Sequence, residues 1–275
     1  MAETRPRIAR LILNLHVSLF VLYLFLPLVV TAIAAVRVSP DPSTGDGKGF
    51  SLHGFAALFA DDRLIGGLVA SLAVAVAVVA VSLPLGLAGA LVLRRLSRRT
   101  AAALFALLIV PLALPGLATA LATLLFWRDL GADGGLALAV VARTGWTAAL
   151  VMLLFLVRLQ SLDPTLEDAA IDLGASPVLV ARRILAPHLA PTAVTAAVVA
   201  FLAALGDHDS AVLALGRAAT AVTEIGARLG GGTPALAAAL AVALAAAALV
   251  AVALGLLARR RTTAAAPAST ERSGF

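Results

Sequence analysis

The chain has 275 residues, of which 61% are apolar or aromatic and only 13% are charged. A soluble domain is close to half apolar and about a quarter charged, and a fold this small could not hide so large an apolar excess. Soluble enzymes, disordered chains and nucleic-acid binders are therefore excluded, and the absence of cysteine excludes disulfides, thiolate metal sites and cysteine nucleophiles.

The spacing of the charges supplies the organisation. A bilayer span needs about 20 apolar residues. Between Arg10 and Arg37 lie 26 residues without a formal charge, between Arg63 and Arg94 there are 30, and between Arg99 and Arg128 there are 28. From Gly134 to Val157 the sole charge is Arg143; from Ile184 to Gly206 and from Leu229 to Ala258 there is none. These stretches predict an all-α, polytopic membrane protein with about six transmembrane helices, over 11–36, 64–93, 101–127, 136–157, 191–206 and 234–258. The fifth is started at Pro191 because a helix accepts proline in its first turn. The arm 1–10 and the loop 158–188 fall on one side, and the tail 262–275 is expected to be disordered. The first stretch is longer than a secretory signal core and is read as an uncleaved span.

Short loops rich in Lys and Arg face the cytoplasm. The arm, the loop after span two, the loop after span four and the tail carry 3, 4, 3 and 4 basic residues, 14 in all. The other side has 6, and Arg143 completes the 21. Both termini are thus expected in the cytoplasm, and the net charge of +6 is a signal of topology rather than of a polyanion partner.

The loop before the fifth span holds the densest chemistry. Asp163-Pro164 reads as a helix start, with Asp as N-cap and Pro at the first helical position. Leu166, Ala169, Ala170 and Leu173 then fall on one face, with Glu167, Asp168 and Asp172 on the other. Gly174 is expected to stop the helix by adopting a positive φ. Ser176-Pro177 repeats the start signal for a second short helix ending before Pro187. An amphipathic helix on a lipid surface carries Lys and Arg on its polar face. This one is acidic and would be repelled by an anionic leaflet, so the loop is read as a docking surface for a protein.

The run Asp168-Ala169-Ala170, three residues, Gly174, nine residues, Ile184, one residue, Ala186-Pro187 resembles the EAA-x3-G-x9-I-x-L-P loop of ABC-importer permeases. Asp168 stands where that family usually has Glu, and Ala186 where it usually has Leu. Pro84-Leu85-Gly86 with Arg94-Arg95, the stretch from Pro111 to Pro115-Gly116, and Leu205-Gly206-Asp207 are similar to the same permeases, in particular those for polyamines, iron(III), thiamine and phosphonate. The resemblance implies the type I ABC-importer permease fold and a subunit that forms a translocation pathway. It implies a second permease subunit, a cytoplasmic ABC ATPase subunit that receives the loop, and an external substrate-binding protein. Glu167, Asp168, Ala169, Ala170, Gly174, Ile184 and Pro187 would couple the chain to the ATPase. Gly174 would supply the tight turn at the contact, Asp168 would face basic groups, and the two alanines would allow close approach.

The chain itself is not expected to hydrolyse ATP. Its single lysine, Lys48, lies in Gly45-Asp46-Gly47-Lys48-Gly49, which lacks the spacing and the Ser/Thr of a phosphate-binding loop. No cofactor and no metal are expected. Arg143, within span four, is a candidate for the pathway, the alternative being a structural role, snorkelling to the outer face or pairing with Asp129 or Asp133. Asp207, His208 and Asp209 are candidates for a gate or a binding-protein contact, the alternative being a solvated loop. Gly226-x3-Gly230 is read as part of a turn. A secondary transporter or channel working without an ATPase is the rival reading, and Arg143 is the one residue that fits it.

Overall fold

The computed structural model describes residues 4–37, 49–132, 134–163, 165–214 and 219–265. These residues are helical apart from turns and one isolated antiparallel bridge, Arg37 to Phe50. The elements are α1 (Thr4–Val36), α2 (His53–Ala60), α3 (Asp62–Arg95), α4 (Arg98–Ala113), α5 (Gly116–Asp129), α6 (Leu136–Gln160), α7 (Thr165–Asp172), α8 (Pro177–Val180), α9 (Ala186–Leu205), α10 (Asp209–Ala214), α11 (Ala221–Gly230) and α12 (Pro234–Ala265), with a π-helical turn, Ala181–Leu185, joining α8 to α9. Among the described residues, five helices are long and apolar enough to cross a membrane, or six if the bent pair α4–α5 counts as one span.

The contacts divide the chain into two compact units, Met1–Ile65 with Glu224–Ala245, and Gly66–Thr223 with Ala246–Phe275. In the first unit, α1 exposes Leu11, Phe20, Leu22 and Tyr23, apolar side chains on every face. A helix hydrophobic all round needs an apolar surrounding, and among the described residues of its unit little covers it before its last turn. Near its end Ala35 is buried. A Cβ on Gly54 of α2 would stand 3.0 Å from the Ala35 carbonyl, so glycine there permits the close approach of α2 to α1.

The second unit is built on α6 and α9. Its core joins Ala90 and Leu93 of α3, Val151, Met152, Phe155 and Leu159 of α6, Leu162, Leu185 of the π turn, and Leu189, Ala196 and Ala200 of α9. Small residues let these helices approach. A Cβ on Gly86 would lie 2.6 Å from Val151 Cγ1 and 2.8 Å from the Met152 amide nitrogen, and one on Gly255 would lie 2.2 Å from Val198 Cγ2. Between helices in lipid the attraction comes from van der Waals packing and hydrogen bonds rather than from water exclusion. Backbone proximity at Gly86 and Gly255 is therefore a direct source of association.

Two proline effects reshape the expected spans. The stretch expected as the third span is two helices bent by 101°. Pro115 disfavours the helical conformation in the residue before it, and Leu114 is extended (φ −86°, ψ 143°). The second effect corrects an expectation: the short helix starting at Pro177 does not end before Pro187, nor does the fifth span start at Pro191. The helix runs unbroken from Pro177 to Leu205. Pro187 has no N–H for the fourth carbonyl before it and its ring crowds that carbonyl. The π turn over Ala181–Leu185, where the Ala186 amide donates to Ala181 five residues back, absorbs both problems without breaking the rod. Two smaller differences concern glycine and the tail. Gly226 and Gly230 lie in helix α11, and the turn follows them at Gly231-Gly232. Helix α12 continues through Ala265.

Candidate functional site

The loop after α6 is tied at both ends. The Arg158 Nε donates to the His188 carbonyl at 3.1 Å, and the His188 ring Nε2 lies 3.2 Å from the Arg158 carbonyl. This reciprocal pair makes residues 159–187 a closed excursion rather than a slack connection. Pro164 lies outside the described residues. Beside it, the Asp163 carboxylate accepts from the Thr165 amide at 3.0 Å and the Thr165 hydroxyl at 2.8 Å. These donations hold its carboxyl below the usual carboxylate range.

Helix α7 ends as its sequence demands. Gly174 has φ +83°. Its amide donates to Ile171 at 2.8 Å, and the Ala175 amide reaches back to Ala170 at 3.0 Å, closing both bonds of a Schellman cap. The next helix starts with Ser176 accepting from the Leu179 amide at 3.3 Å and Pro177 in the first turn. No atom lies within 4 Å of a Cβ built on Gly174. Gly174→Ala is therefore expected to cost about 1 kcal/mol in the cap, from the left-handed backbone alone. Faster amide exchange confined to residues 165–180 is the measurement that checks it.

The structure separates the predicted loop residues into two groups. Asp168, Ala169 and Gly174 are exposed and Ala170 is half-buried. Glu167 turns inward and pairs with Arg94 at the end of α3, so the acidic side of α7 is not one outward face. Ile184 is partly buried and packs against the core, and Pro187 is partly buried beside the π turn. The apolar side of α7 is not covered either: Leu166 and Ile171 are exposed and Leu173 is 89% exposed, and Val178 across the Gly174 turn is exposed too. Leu91, Arg94, Arg95, Glu167, Asp168 and Leu185 line a cavity of about 260 Å³ under α7. The result is a short helix anchored from behind by Glu167, presenting Asp168, small residues and exposed leucine around a tight turn.

The second site is at the other end of α6. Arg143 lies seven residues into that helix. Its Nη1 is 3.1 Å from Asp207 Oδ1, and the two side chains are 16% and 8% exposed. The Nη2 donates to the Ala203 carbonyl at 2.7 Å, and the guanidinium lies 4.9 Å from the Trp146 ring centroid. Ala203 is in the last turn of α9, where carbonyls lack helical donors and positive charge is favoured. Arg143 thus closes the end of α9 and neutralises the carboxylate that follows it. The structural partner is Asp207 rather than Asp129, and Asp133 lies outside the described residues. Asp207 and His208 do not converge: Asp207 is turned to Arg143 and His208 is exposed. Asp209 opens α10, and its side chain is outside the described set. Lys48 is outside it too.

Sequence reasoning missed a charge cluster in the first unit. Arg63 Nε donates to Glu224 Oε1 at 2.7 Å, Arg228 Nη2 to Asp61 Oδ2 at 2.7 Å, and Arg228 Nε stands 3.9 Å from Glu224 Oε2. Glu224 is 2% exposed, so its charge is compensated where water is absent. The i,i+4 spacing of Glu224 and Arg228 was the available signal; the link to Asp61 and Arg63, more than 160 residues away, had none.

Comparison with known proteins follows the same lines. The chain is 31% identical over 179 residues to the putrescine transport system permease protein PotI of Escherichia coli K12, covering 62% of this chain and 64% of that protein. It is 26% identical over 189 residues to the spermidine/putrescine transport system permease protein PotC of Haemophilus influenzae, covering 69% and 74%. The match therefore spans a little under two thirds of the PotI length. Among solved structures, a bacterial ABC transporter involved in import of the acidic polysaccharide alginate superposes with a TM-score of 0.72 at 17% identity, over 98% of both chains. The MetNI methionine ABC transporter in an inward-facing form gives 0.62 at 22% identity, over 73% of this chain and 96% of that one. At these identities the structural likeness speaks for the fold. Residues 82–263, which include the anchored loop and the Arg143–Asp207 pair, match the family described as the binding-protein-dependent transport system inner membrane component, and the chain belongs to that family.

Proposed function

We propose that the chain is a membrane-spanning permease subunit of an ATP-driven ABC importer, lining the translocation pathway and receiving force from a separate cytoplasmic ATPase through residues 163–187. The observation that carries this reading is the anchored loop. It presents Asp168, Ala169 and a left-handed Gly174 outward, while Glu167 and the Arg158–His188 pair bind it to the ends of the long helices. A rigid lever, fixed to the spans and exposed at its tip, is what a coupling element requires.

The rest of the assembly follows in the same proposal. A second permease subunit, identical or related, completes the pathway, and an external binding protein delivers substrate. The loop, the basic turn after α3 and both termini face the cytoplasm, in accord with the distribution of arginines. The names of the relatives make putrescine the first substrate to test.

The experiment is ATP-dependent uptake of labelled putrescine and spermidine by the assembled complex in proteoliposomes, with the binding protein inside or outside. Asp168→Arg is expected to lower uptake by at least about tenfold, since a reversed charge forfeits a charge-assisted contact. Gly174→Val should do the same through the lost turn, with the purified variants melting near the wild-type temperature. Full coupled uptake in both variants would overturn the docking role. Uptake by the purified chain alone, driven by a proton or sodium gradient, would overturn the importer reading itself.

A further inference from the structure

A groove at the basic end of α3 has no role in the mechanism above. Leu93, Ala101, Ala102, Phe105, Leu156, Leu159 and Leu162 form apolar walls, with Arg94 and Gln160 at its rim, around a volume of about 530 Å³. Leu93, Leu159 and Leu162 are buried and define the floor. Ala101 and Ala102 leave the space that larger residues would fill.

The position of the groove constrains its occupant. Helix α3 is uncharged from Leu64 to Leu93 and ends in Arg94-Arg95. In a spanning helix, that transition marks the depth at which hydrocarbon gives way to headgroups. The groove opens at this depth. Arg98 lies three and four residues before Ala101 and Ala102, on the same face of α4, and Arg99 lies three before Ala102. Arg95, Arg98 and Arg99 are exposed, and no acidic residue occurs from Leu91 to Phe105. Arg94 is occupied by Glu167, and Arg95 lines the cavity under α7 with Glu167 and Asp168; Arg98 and Arg99 have no acidic residue in this turn to match them. Arginines at the start of α4 also oppose the positive end of its own dipole, a cost that an anion at this spot offsets.

We propose that this groove is a binding site for an anionic phospholipid, one acyl chain lying along Leu93, Phe105 and Leu159 and the phosphate held by Arg98 and Arg99. Charge complementarity decides between occupants: a second copy docking by this same basic end would bring like charges together, and a zwitterionic lipid would leave the arginines with no net countercharge. The inference stands on the groove and its rim and does not depend on the coupling role of α7.

The test is native mass spectrometry of the full chain extracted from vesicles of equal phosphatidylglycerol and phosphatidylcholine content. The wild type should retain phosphatidylglycerol in clear excess, since each arginine at a lipid surface is worth about fivefold in anionic-lipid affinity. Arg98→Gln with Arg99→Gln should abolish most of that excess. Ala102→Phe, at an exposed position where no refolding is required, should reduce the retained lipid of either headgroup by filling the groove. Arg259→Gln with Arg260→Gln removes the same charge from an exposed stretch of α12 and should leave the ratio unchanged. Equal retention of the two lipids by the wild type, an unaltered pattern in either groove variant, or an equal loss in the α12 variant overturns the proposal.

Discussion

Asp207→Ala is expected to destabilise the fold by about 3–5 kcal/mol, because it leaves the Arg143 guanidinium buried and without its carboxylate. The magnitude follows from burial: the two side chains are 16% and 8% exposed, and the pair sits where α6 meets the end of α9. Arg143→Ala should cost as much by stranding Asp207, and it also removes the donor to the Ala203 carbonyl. The double change Arg143→Met with Asp207→Leu is expected to regain most of the loss, since a buried ion pair replaced by apolar groups of similar volume is often neutral. Thermal or denaturant unfolding of the four proteins gives the coupling energy directly. Additive single losses would show that the two charges do not act as a pair.

The second large effect is expected at Gly86. Gly86→Leu should destabilise the unit by about 3 kcal/mol, the upper end of the range for overpacking. A Cβ at 86 would meet the Met152 amide nitrogen at 2.8 Å and Val151 Cγ1 at 2.6 Å. The first obstacle is backbone and cannot rotate away, so α3 and α6 must separate along the core that contains Phe155 and Leu159. Adding Val151→Ala removes the second obstacle and not the first, so the double variant should recover only part of the loss. Complete rescue would place the strain in the Val151 side chain rather than in the helix–helix approach. Gly66, where a Cβ meets nothing within 4 Å, serves as the control: Gly66→Ala should not destabilise, and should gain up to about 1 kcal/mol because alanine is the better helix former.

How far each site could be read in advance depended on the range of its interactions. The Gly174 cap, the Asp163 carboxylate on Thr165 and the Ser176 start are bonds between residues at most five apart, so the chain writes them locally. Glu167 looked equivalent to Asp168 and Asp172 on a helical wheel. Its inward turn depends on Arg94, 73 residues away. Arg143 was visible as a charge in an apolar helix, yet its partner was not Asp129, a few residues before α6, but Asp207, brought in by the packing of α9 on α6. The Arg63–Glu224–Arg228–Asp61 cluster had no local signature beyond one helical spacing.

The prolines show the same division. Pro115 acts on Leu114, its immediate neighbour, and the break between α4 and α5 is local; the 101° angle across it is set by what the two helices pack against. Pro187 looks in the sequence like a stop. In the structure, a π turn carries the helix past it because Leu185 and Leu189, on either side, are both buried in the core. Sequence alone determined the all-α membrane class and the caps of the 163–187 loop, since hydropathy, charge spacing and capping are sums over neighbouring residues. The tertiary structure decided which loop charges face outward, which partner neutralises Arg143 and where a proline is tolerated. Each of those outcomes rests on contacts between helices, whose energies depend on distances that no stretch of sequence contains.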